Sequence, residues 1–509
     1  MIPRTYPSTF ATNGQQQMVV YFLTGVVGLQ RWVDYIPVKL SAGGSENSYD
    51  NDGFIAVAII PSLGGTVQSW KDYIPVYEDA AATDVWQVSS IGYIPYNYSG
   101  FGNASLIIDF TSGGALDSRI TFTRSTTGTY IDSAGVLQSA AINTHRFDYN
   151  PTTLQSNGLF IEEQRTNSVR NSTMVGAVAG TPGTLPTNWS VVASGMAFNV
   201  IGTGTENGIN YIDIQAVGTT TAGSSAVRFE ATNQVSAVSG ESWTGSFYIR
   251  QVSGAITNIT TIGTNIFGRT AANAVNADSS TGSSFLSTIS ATNLSVARRK
   301  HSFALADATT AFVNTQLLLT HSVGVAIDIT LRIGLPQLEK GAFATSVIPT
   351  TTAAATRAAD VASINTLTPW FNATEGTLYS EATLTNIVSF NTIASLSDGT
   401  SANSMRTVQW NDGTDRPFSI ATGGVTQANY FNTGQIGTAK YAGAYKLNDV
   451  NASKNGSIGI TDTTATIPVV TALWLGQTGS SLFLLNGYLK IIKYYPRRLT
   501  NAELQILTS

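Results

Sequence analysis

The residues that could carry enzymatic chemistry are few and poorly placed for it. The three histidines, His145, His301 and His321, lie neither in a Gly-x-Ser-x-Gly context nor at metal-ligand spacing from one another. Because Glu162 and Glu163 are adjacent, they point to opposite faces of a strand and cannot both flank one glycosidic bond. We therefore predict no catalytic residue and no enzymatic activity.

Metal chemistry has equally little support in the sequence. The chain has no cysteine, which excludes disulfides, thiolate zinc sites and iron–sulfur clusters. Asn448, Asp449 and Asn451 share a loop of the composition that calcium uses. Carboxylates are scarce, however, with 31 Asp plus Glu in 509 residues. We predict neither a metal site nor another cofactor.

Sugar binding requires only a flat aromatic ring for the pyranose face and polar groups for the hydroxyls. Two of the eight tryptophans stand beside turns: Trp189, and Trp410 with Asn411 and Asp412 directly after it. Packing in the core is the alternative for both rings, and Asp412 is also typical of a turn. Trp474 stands inside a strand-like run and is expected in the core. We predict Trp189, Trp410, Asn411 and Asp412 as glycan-binding residues.

Charge is sparse along the whole chain. The 27 Lys plus Arg and 31 Asp plus Glu give a net charge of −4 and 11% charged residues, against about 25% in ordinary soluble proteins. The densest basic cluster, Arg298-Arg299-Lys300, is expected as a solvated strand entrance. Phosphate binding needs clustered Lys and Arg, so we predict no nucleic-acid partner.

The longest apolar run, residues 18–29, is too short to cross a bilayer, which takes about 20 residues. Arg4 is the only basic residue before it, and the preceding stretch is polar, unlike a signal peptide. We expect no membrane insertion and no secretion signal.

Short runs rich in Val, Ile, Thr, Tyr and Phe alternate with Gly, Asn, Asp and Ser, which indicates an all-β fold. We predict an N-terminal β domain at 1–105, a β-rich connecting segment at 106–170, β-sandwiches (jelly rolls) at 171–345 and 366–509, and a linker at 346–365. One helix is expected after Pro496, because Thr500 and Glu503 form a capping-box pattern and Leu504 can pack it on the last sandwich.

A short internal repeat marks the N-terminal block. The heptapeptide that begins at Trp32 and contains Tyr35 returns, with one substitution, at Trp70 with Tyr73. Repetition indicates one supersecondary unit used twice. The alternatives are a duplicated β unit, which we favour, and a docking motif used twice on one partner.

Two segments resemble phage tail proteins: residues 158–167, which read GLFIEEQRTN, and residues 336–360, which contain PQLEKGAFATS and TRAAD. In that family a jelly roll similar to carbohydrate-binding modules lies between the two motifs. Residues 487–500 are similar to the closing strand and helix of concanavalin-like (laminin-G-like) lectin domains, and residues 441–456 resemble their central hairpin. The resemblance covers roughly residues 106–509, and residues 1–105 match no family that we can name.

The resemblance implies a tail fibre or receptor-binding subunit that adheres to host surface glycan without cleaving it. It implies a homotrimer, attachment to other virion proteins through residues 1–105, and location on the virion after synthesis in the bacterial cytoplasm. Trp32, Tyr35, Trp70 and Tyr73 would then dock on the virion, and the partner outside would be host polysaccharide or lipopolysaccharide. The alternatives are a purely structural capsid decoration or head fibre, and a tailspike-like polysaccharide depolymerase.

Overall fold

The computed structural model describes residues 104–289, 293–386, 390–410, 417–429, 437–479 and 483–509, together with the backbone of six short strands before residue 76. The chain divides into two compact units, Met1–Tyr96 and Asn97–Ser509. The strands of the first unit are β1 (Gln15–Gln16), β2 (Arg31–Trp32), β3 (Val38–Lys39), β4 (Phe54–Ala56), β5 (Ile60–Pro61) and β6 (Tyr73–Pro75). They pair antiparallel, β1 with β3, β2 with β5 and β4 with β6.

The second unit begins with seven short strands. They are β7 (Leu106–Asp109), β8 (Thr121–Thr123), β9 (Gly128–Ile131), β10 (Leu137–Ala140), β11 (Phe147–Tyr149), β12 (Ser156–Ile161) and β13 (Arg165–Asn167). Strands β9 and β10 form a hairpin whose turn is closed by Asp132, since its carboxylate accepts from the N–H groups of Ala134 and Val136.

A middle sandwich follows. Its strands are β14 (Ser190–Val192), β15 (Met196–Glu206), β16 (Ile209–Thr219), β17 (Ser224–Arg228), β18 (Ser242–Gly254), β19 (Ile259–Arg269), β20 (Val275–Thr281), β21 (Arg298–Ala304), β22 (Phe312–His321) and β23 (Ala326–Lys340), with 3₁₀ turns at Leu286–Thr288 and Leu294–Val296. They form two antiparallel sheets, the β22 sheet in the order β14-β17-β22-β19-β20 and the β23 sheet in the order β15-β16-β23-β18-β21.

The core of the middle sandwich follows from strand alternation. In β23 every second residue from Ile327 to Ile333 is buried against apolar residues of β22 such as Leu317 and Leu319. The residues between them face outward. Strands β20 and β21 lie at the edges of their sheets.

The remaining strands are β24 (Ala355–Arg357), β25 (Val361–Ile364), β26 (Glu375–Leu384), β27 (Phe390–Ser397), β28 (Ser404–Trp410), β29 (Phe418–Thr422), β30 (Val425–Asn429), β31 (Gly437–Lys446), β32 (Asn451–Lys454), β33 (Ser457–Ile458), β34 (Ala472–Leu475) and β35 (Gly487–Tyr495), followed by helix α1 (Asn501–Thr508). The terminal sandwich consists of two sheets. The β35 sheet has the order β11-β12-β35-β26-β31-β32-β33, and β7 also pairs with β35. The β28 sheet has the order β30-β29-β28-β27-β34-β25-β8.

The terminal sandwich is therefore built from two separate stretches of chain. Strands β7, β8, β11 and β12 come from residues expected as a connecting segment, and β25 comes from the expected linker. Their side chains Ile108, Phe122 and Ile364 share one core with Leu378 and Tyr441. The middle sandwich is inserted between these stretches, and it is entered and left through β13 and β24, which pair with each other.

A buried ion network ties this junction together. Arg146 bonds to Glu162 at 2.9 Å and to Asp360 at 2.5 Å, Arg124 bonds to Asp360 at 3.0 Å, and Arg357 lies 3.1 Å from Glu162. The five side chains are almost completely buried. Burial alone would raise the pKa of Glu162, but the charges of Arg357 and Arg146 together with the hydrogen bonds from Ser346 outweigh it and the pKa is lowered. Residues 158–167 and 336–360, the two segments singled out in the sequence, thus meet at this network.

The fold class predicted from the sequence is confirmed: the described chain is nearly all β, with one short C-terminal helix. The capping box forms as expected, with Thr500 and Glu503 bonding reciprocally at the start of α1. Leu499 and Leu504 are buried against the sandwich. In the part of the chain that the structure describes, no helix is both long and apolar enough to span a membrane.

Candidate binding site

The structure corrects the sequence prediction for Trp189. Only 7% of this residue is exposed, its indole N–H donates to the Asn171 carbonyl at 3.0 Å, and its ring packs edge-on against Phe229. A ring buried in this way offers no free face to a sugar. Trp189 is therefore part of the core of the middle sandwich.

The other predicted site residues lie at or beyond the limits of what the structure describes. Trp410 ends β28 with its side chain undescribed, and Asn411 and Asp412 lie outside the described residues. In the N-terminal unit Trp32 lies on β2 and Tyr73 on β6, again without described side chains. Tyr35 and Trp70 of the same repeat lie outside the described residues.

The polar side chains of the loop considered for calcium bond to other residues of the chain. Asp449 forms an ion pair with Arg498 at 2.9 Å, and Asn451 donates to the Thr461 hydroxyl and accepts from the Ala452 N–H. No group of three or more His, Asp or Glu side chains suited to a metal ion occurs within the described ranges.

A cavity of about 490 Å³ opens beside β21, an edge strand of the β23 sheet. It is lined by residues of β19, the loop after β20, β21, the loop after β23 and one residue of the terminal sandwich: Thr264, Gly282, Ser283, Ser284, Phe285, Thr288, Arg298, Arg299, Lys300, His301, Ser302, Ala342, Phe343 and Asn386. We call it the β21 cavity.

The inner wall of the β21 cavity is aromatic. Phe285 and Phe343 are both buried at 5% exposure. The guanidinium of Arg299 lies 5.3 Å from the centre of the Phe285 ring, and that of Arg165 lies 4.7 Å from the centre of the Phe343 ring. The wall thus combines apolar surface with positive charge, while the serines of the rim supply hydroxyls.

Three consecutive cations of β21 contribute to the lining of the cavity, with Arg298 and Lys300 on one face of the strand and Arg299 on the other. Arg298 donates to the Thr345 carbonyl and the Ser246 hydroxyl, and Arg299 donates to the Thr288 carbonyl. These acceptors are neutral, and none of the three cations forms an ion pair with a described carboxylate. Burial and the charge of Arg298 lower the pKa of Lys300, and burial lowers that of Arg299. Strand β21 begins at Arg298, where Lys300 is exposed and Arg298 and Arg299 are half-buried at the cavity wall.

His301 follows the three cations on β21 and also lines the cavity. Its Nε2 lies 2.9 Å from the Ser280 hydroxyl, and burial lowers the pKa of the ring below its ordinary value of 6.5. A side chain at Gly282 would come within 2.9 Å of His301. The glycine is therefore required for the space in front of the imidazole.

The arrangement suits binding better than catalysis. Two serine–histidine pairs exist, Ser280 with His301 and Ser225 with His321, each at 2.9 Å. In neither pair does a described carboxylate bond to the second ring nitrogen, which is the group that orients the base in a nucleophilic triad. Positive charge, hydroxyls and aromatic carbon in one cavity match an anionic group and the hydroxyls beside it.

No protein-family model and no curated protein matches the sequence. Among solved structures, the chain is similar to the carbohydrate-binding module CBM40 of a Ruminococcus gnavus IT-sialidase bound to α2,3 sialyllactose, with 16% identity over 27% of this chain and 84% of that chain, at a TM-score of 0.24. It is also similar to domains LG4-5 of the mouse laminin α1 chain, with 10% identity over 54% of this chain and 88% of that chain, at a TM-score of 0.20.

A third similar structure is a Trypanosoma rangeli sialidase in complex with the inhibitor DANA, at 9% identity over 62% of each chain and a TM-score of 0.24. The structural neighbours thus include a carbohydrate-binding module and laminin G domains. At these identities and TM-scores the likeness carries no argument about the ligand.

Proposed function

We propose that the chain is a phage virion protein, a tail fibre or receptor-binding subunit, that adheres to host surface glycan without cleaving it. The observation that carries glycan binding is the β21 cavity, with three cations, two phenylalanine rings and a hydroxyl rim. The virion role rests on the resemblance of residues 158–167 and 336–360 to phage tail proteins. The same segments contain Glu162, Arg357 and Asp360 of the ion network that is buried where the two sandwiches join.

The glycan is an acidic one. Arg298 and Lys300 share one face of β21 and repel each other, and burial together with the charge of Arg298 lowers the pKa of Lys300. An anionic group would relieve the repulsion and accept hydrogen bonds from the side chains. The volume of about 490 Å³ lies within the range of roughly 300–1,000 Å³ that is usual for small-ligand sites.

Firm adhesion through one small site per chain needs several copies. We propose a homotrimer that attaches to other virion proteins through residues 1–105 and presents the sandwiches outward to host polysaccharide or lipopolysaccharide. Linked copies raise the overall affinity without any new contact. The chain would be made in the bacterial cytoplasm, use no cofactor and bind neither nucleic acid nor membrane.

The test measures binding of the full chain to an array of neutral and acidic oligosaccharides and to purified host surface polysaccharide. Wild-type protein is compared with Arg299→Gln/Lys300→Gln, which removes two cavity charges. The matched control, Arg119→Gln/Lys446→Gln, removes two charges from exposed ion pairs elsewhere. We expect acidic glycans to bind wild type and control, and the cavity variant to bind about tenfold more weakly or worse.

Equal binding by the cavity variant and wild type would reject the β21 cavity as the site. Release of oligosaccharide from the polysaccharide would overturn the non-enzymatic proposal in favour of a depolymerase. Antibody labelling of intact particles in electron micrographs tests the virion role. Label at the tail supports adhesion, and label on the capsid faces with no glycan binding would point to a decoration protein.

A further inference from the structure

A second cluster of polar groups lies on the outward face of the β28 sheet in the terminal sandwich. Ser395 pairs in register with Arg406 on one side and with Trp474 on the other. Directly paired residues share a face of a sheet, so the three side chains form a row across β28, β27 and β34. The adjacent row of Met405, Leu396 and Leu473 lies in the core. The polar row therefore points away from the core, on the opposite face.

The polar atoms of this row are buried without partners. Ser395 is fully buried and Arg406 is 8% exposed. The Nε of Arg406, the hydroxyl of Ser395 and the indole nitrogen of Trp474 are each buried with no hydrogen-bond partner. The hydroxyl of Thr392, further along β27, is in the same state. Unsatisfied buried polar groups are costly, so their concentration on one patch requires an explanation.

Arg406 is the decisive residue. Within the described chain its guanidinium forms no ion pair and no hydrogen bond, and its Cζ lies 5.1 Å from the centre of the Phe390 ring. Burial lowers its pKa to about 10. The more deeply buried Arg124 and Arg146 are each paired with carboxylates. A nearly buried cation without a counter-charge is unfavourable unless a ligand supplies one.

We propose that Arg406, Ser395 and Trp474 form a binding site for the anionic group of an acidic sugar, separate from the β21 cavity. Arginine and the indole N–H are donors only, and a serine hydroxyl can also donate, so the row matches the acceptor oxygens of a carboxylate, sulfate or phosphate. The half-buried Trp474 and the Phe390 ring supply aromatic surface beside these donors, which suits a sugar better than a bare oxyanion. The sequence placed Trp474 in the core, whereas the structure brings its indole nitrogen into this row.

This inference rests on the proposed function only in taking the ligand to be a glycan. The test uses the full-length variant Arg299→Gln/Lys300→Gln, so that binding in the β21 cavity does not contribute to the signal. Isothermal titration calorimetry measures binding of glucuronate, glucose 6-sulfate, glucose 6-phosphate, neutral glucose and inorganic sulfate. We expect at least one of the acidic sugars to bind this background more tightly than glucose or inorganic sulfate.

Adding Arg406→Met to this variant should weaken that binding by about tenfold or more. Adding Ser395→Ala instead should weaken it by less. Arg119→Gln removes an equal charge at an exposed ion pair and should leave binding unchanged. Without ligand, Arg406→Met should raise Tm, because the uncompensated buried charge is removed.

Three outcomes would overturn the proposal. They are failure of every acidic sugar to bind the cavity variant, unchanged binding in both Arg406→Met and Ser395→Ala, and inorganic sulfate binding as tightly as the sugars. A fall in Tm on Arg406→Met with unchanged sugar binding would instead assign the arginine a structural role.

Discussion

The buried arginines of this chain separate into two kinds by what neutralises them. Arg124, Arg146 and Arg357 lie among carboxylates, and each forms an ion pair at 2.5–3.1 Å. Arg406 has aromatic carbon beside it and no described counter-charge. Replacing one of the three paired arginines by an uncharged residue leaves a buried carboxylate without its partner, whereas replacing Arg406 leaves no buried charge unpaired. The same substitution is thus expected to act in opposite directions at the two places.

A buried carboxyl shows how a single residue sets a pH dependence. Asp148 is almost fully buried, accepts from the Ile131 N–H at 2.7 Å and from the Asn157 amide at 3.2 Å, and burial raises its pKa to about 6. The folded protein therefore holds this proton more tightly than the unfolded chain, where the ordinary value is 3.8. Its contribution to stability is complete below 3.8 and is lost as the pH rises to about 6.

Asp148→Asn should remove the loss of stability that accompanies ionisation of this carboxyl as the pH rises. We expect the variant to be more stable than wild type at neutral pH by on the order of 2 kcal/mol, with a flatter stability profile at acidic pH. Urea unfolding at a series of pH values from about 4 to 7 measures it. Asp307→Asn is a control of opposite sign, because hydrogen bonds from Thr309 lower the pKa of the Asp307 carboxyl. Equal profiles for wild type and Asp148→Asn would contradict the assignment.

At the scale of strands and helices, local signals in the sequence were predictive and distant pairings were not. The β9–β10 hairpin follows from the Asp132 turn, and α1 follows from its capping box, because both depend on residues a few positions apart. The pairing of β13 with β24 joins residues 165–167 to residues 355–357 across the whole middle sandwich.

The ion network connects these distant elements, because its members precede or follow β8, β11, β12 and β25 or lie on β24. Arg146→Met should destabilise the protein by about 3–5 kcal/mol, since it leaves Glu162 and Asp360 short of positive charge in a buried site. Chemical denaturation of the full chain measures the change. Arg119→Gln, at an exposed pair with Asp117, should change stability by less than about 1 kcal/mol. A comparable loss in both variants would mean that the network does not hold the junction.

The candidate sites differ in how far the sequence could reveal them. Three adjacent basic residues at 298–300 in the least charged block were a visible signal, although their setting in a cavity depends on the loops after β20 and β23. Arg406, Ser395 and Trp474 carry no such signal, because they are brought into one row only by strand register. Trp189 was misjudged because a position beside a turn does not reveal whether the ring points inward.

For the whole molecule, the inserted arrangement decides which fragments can fold. Residues 366–509 alone lack β7, β8, β11, β12 and β25, whose apolar residues are buried in the same core. We expect this fragment to show no cooperative unfolding transition, while residues 104–509 unfold cooperatively by circular dichroism. Cooperative unfolding of the isolated 366–509 fragment would contradict a shared core.

A deletion tests the same architecture from the other side. Asn167 and Ala355 are directly paired, so their Cα atoms are about 5 Å apart and a short Gly-Ser linker can replace residues 168–354. This shortened form of 104–509 should keep a cooperative transition, because both sheets of the terminal sandwich remain complete.

The position of β35 also has a consequence for the timing of synthesis. It is the last strand of this sandwich to be synthesised, yet it lies between β12 and β26 within its sheet. More than 300 residues separate it from β12, so at translation rates of about 5–20 residues per second the early strands stay without their partner for roughly 15–60 s. The middle sandwich is contiguous and can fold during that interval. A chain that terminates before residue 487 lacks β35, with which β7, β12 and β26 all pair, so only copies translated past residue 495 can complete this sandwich.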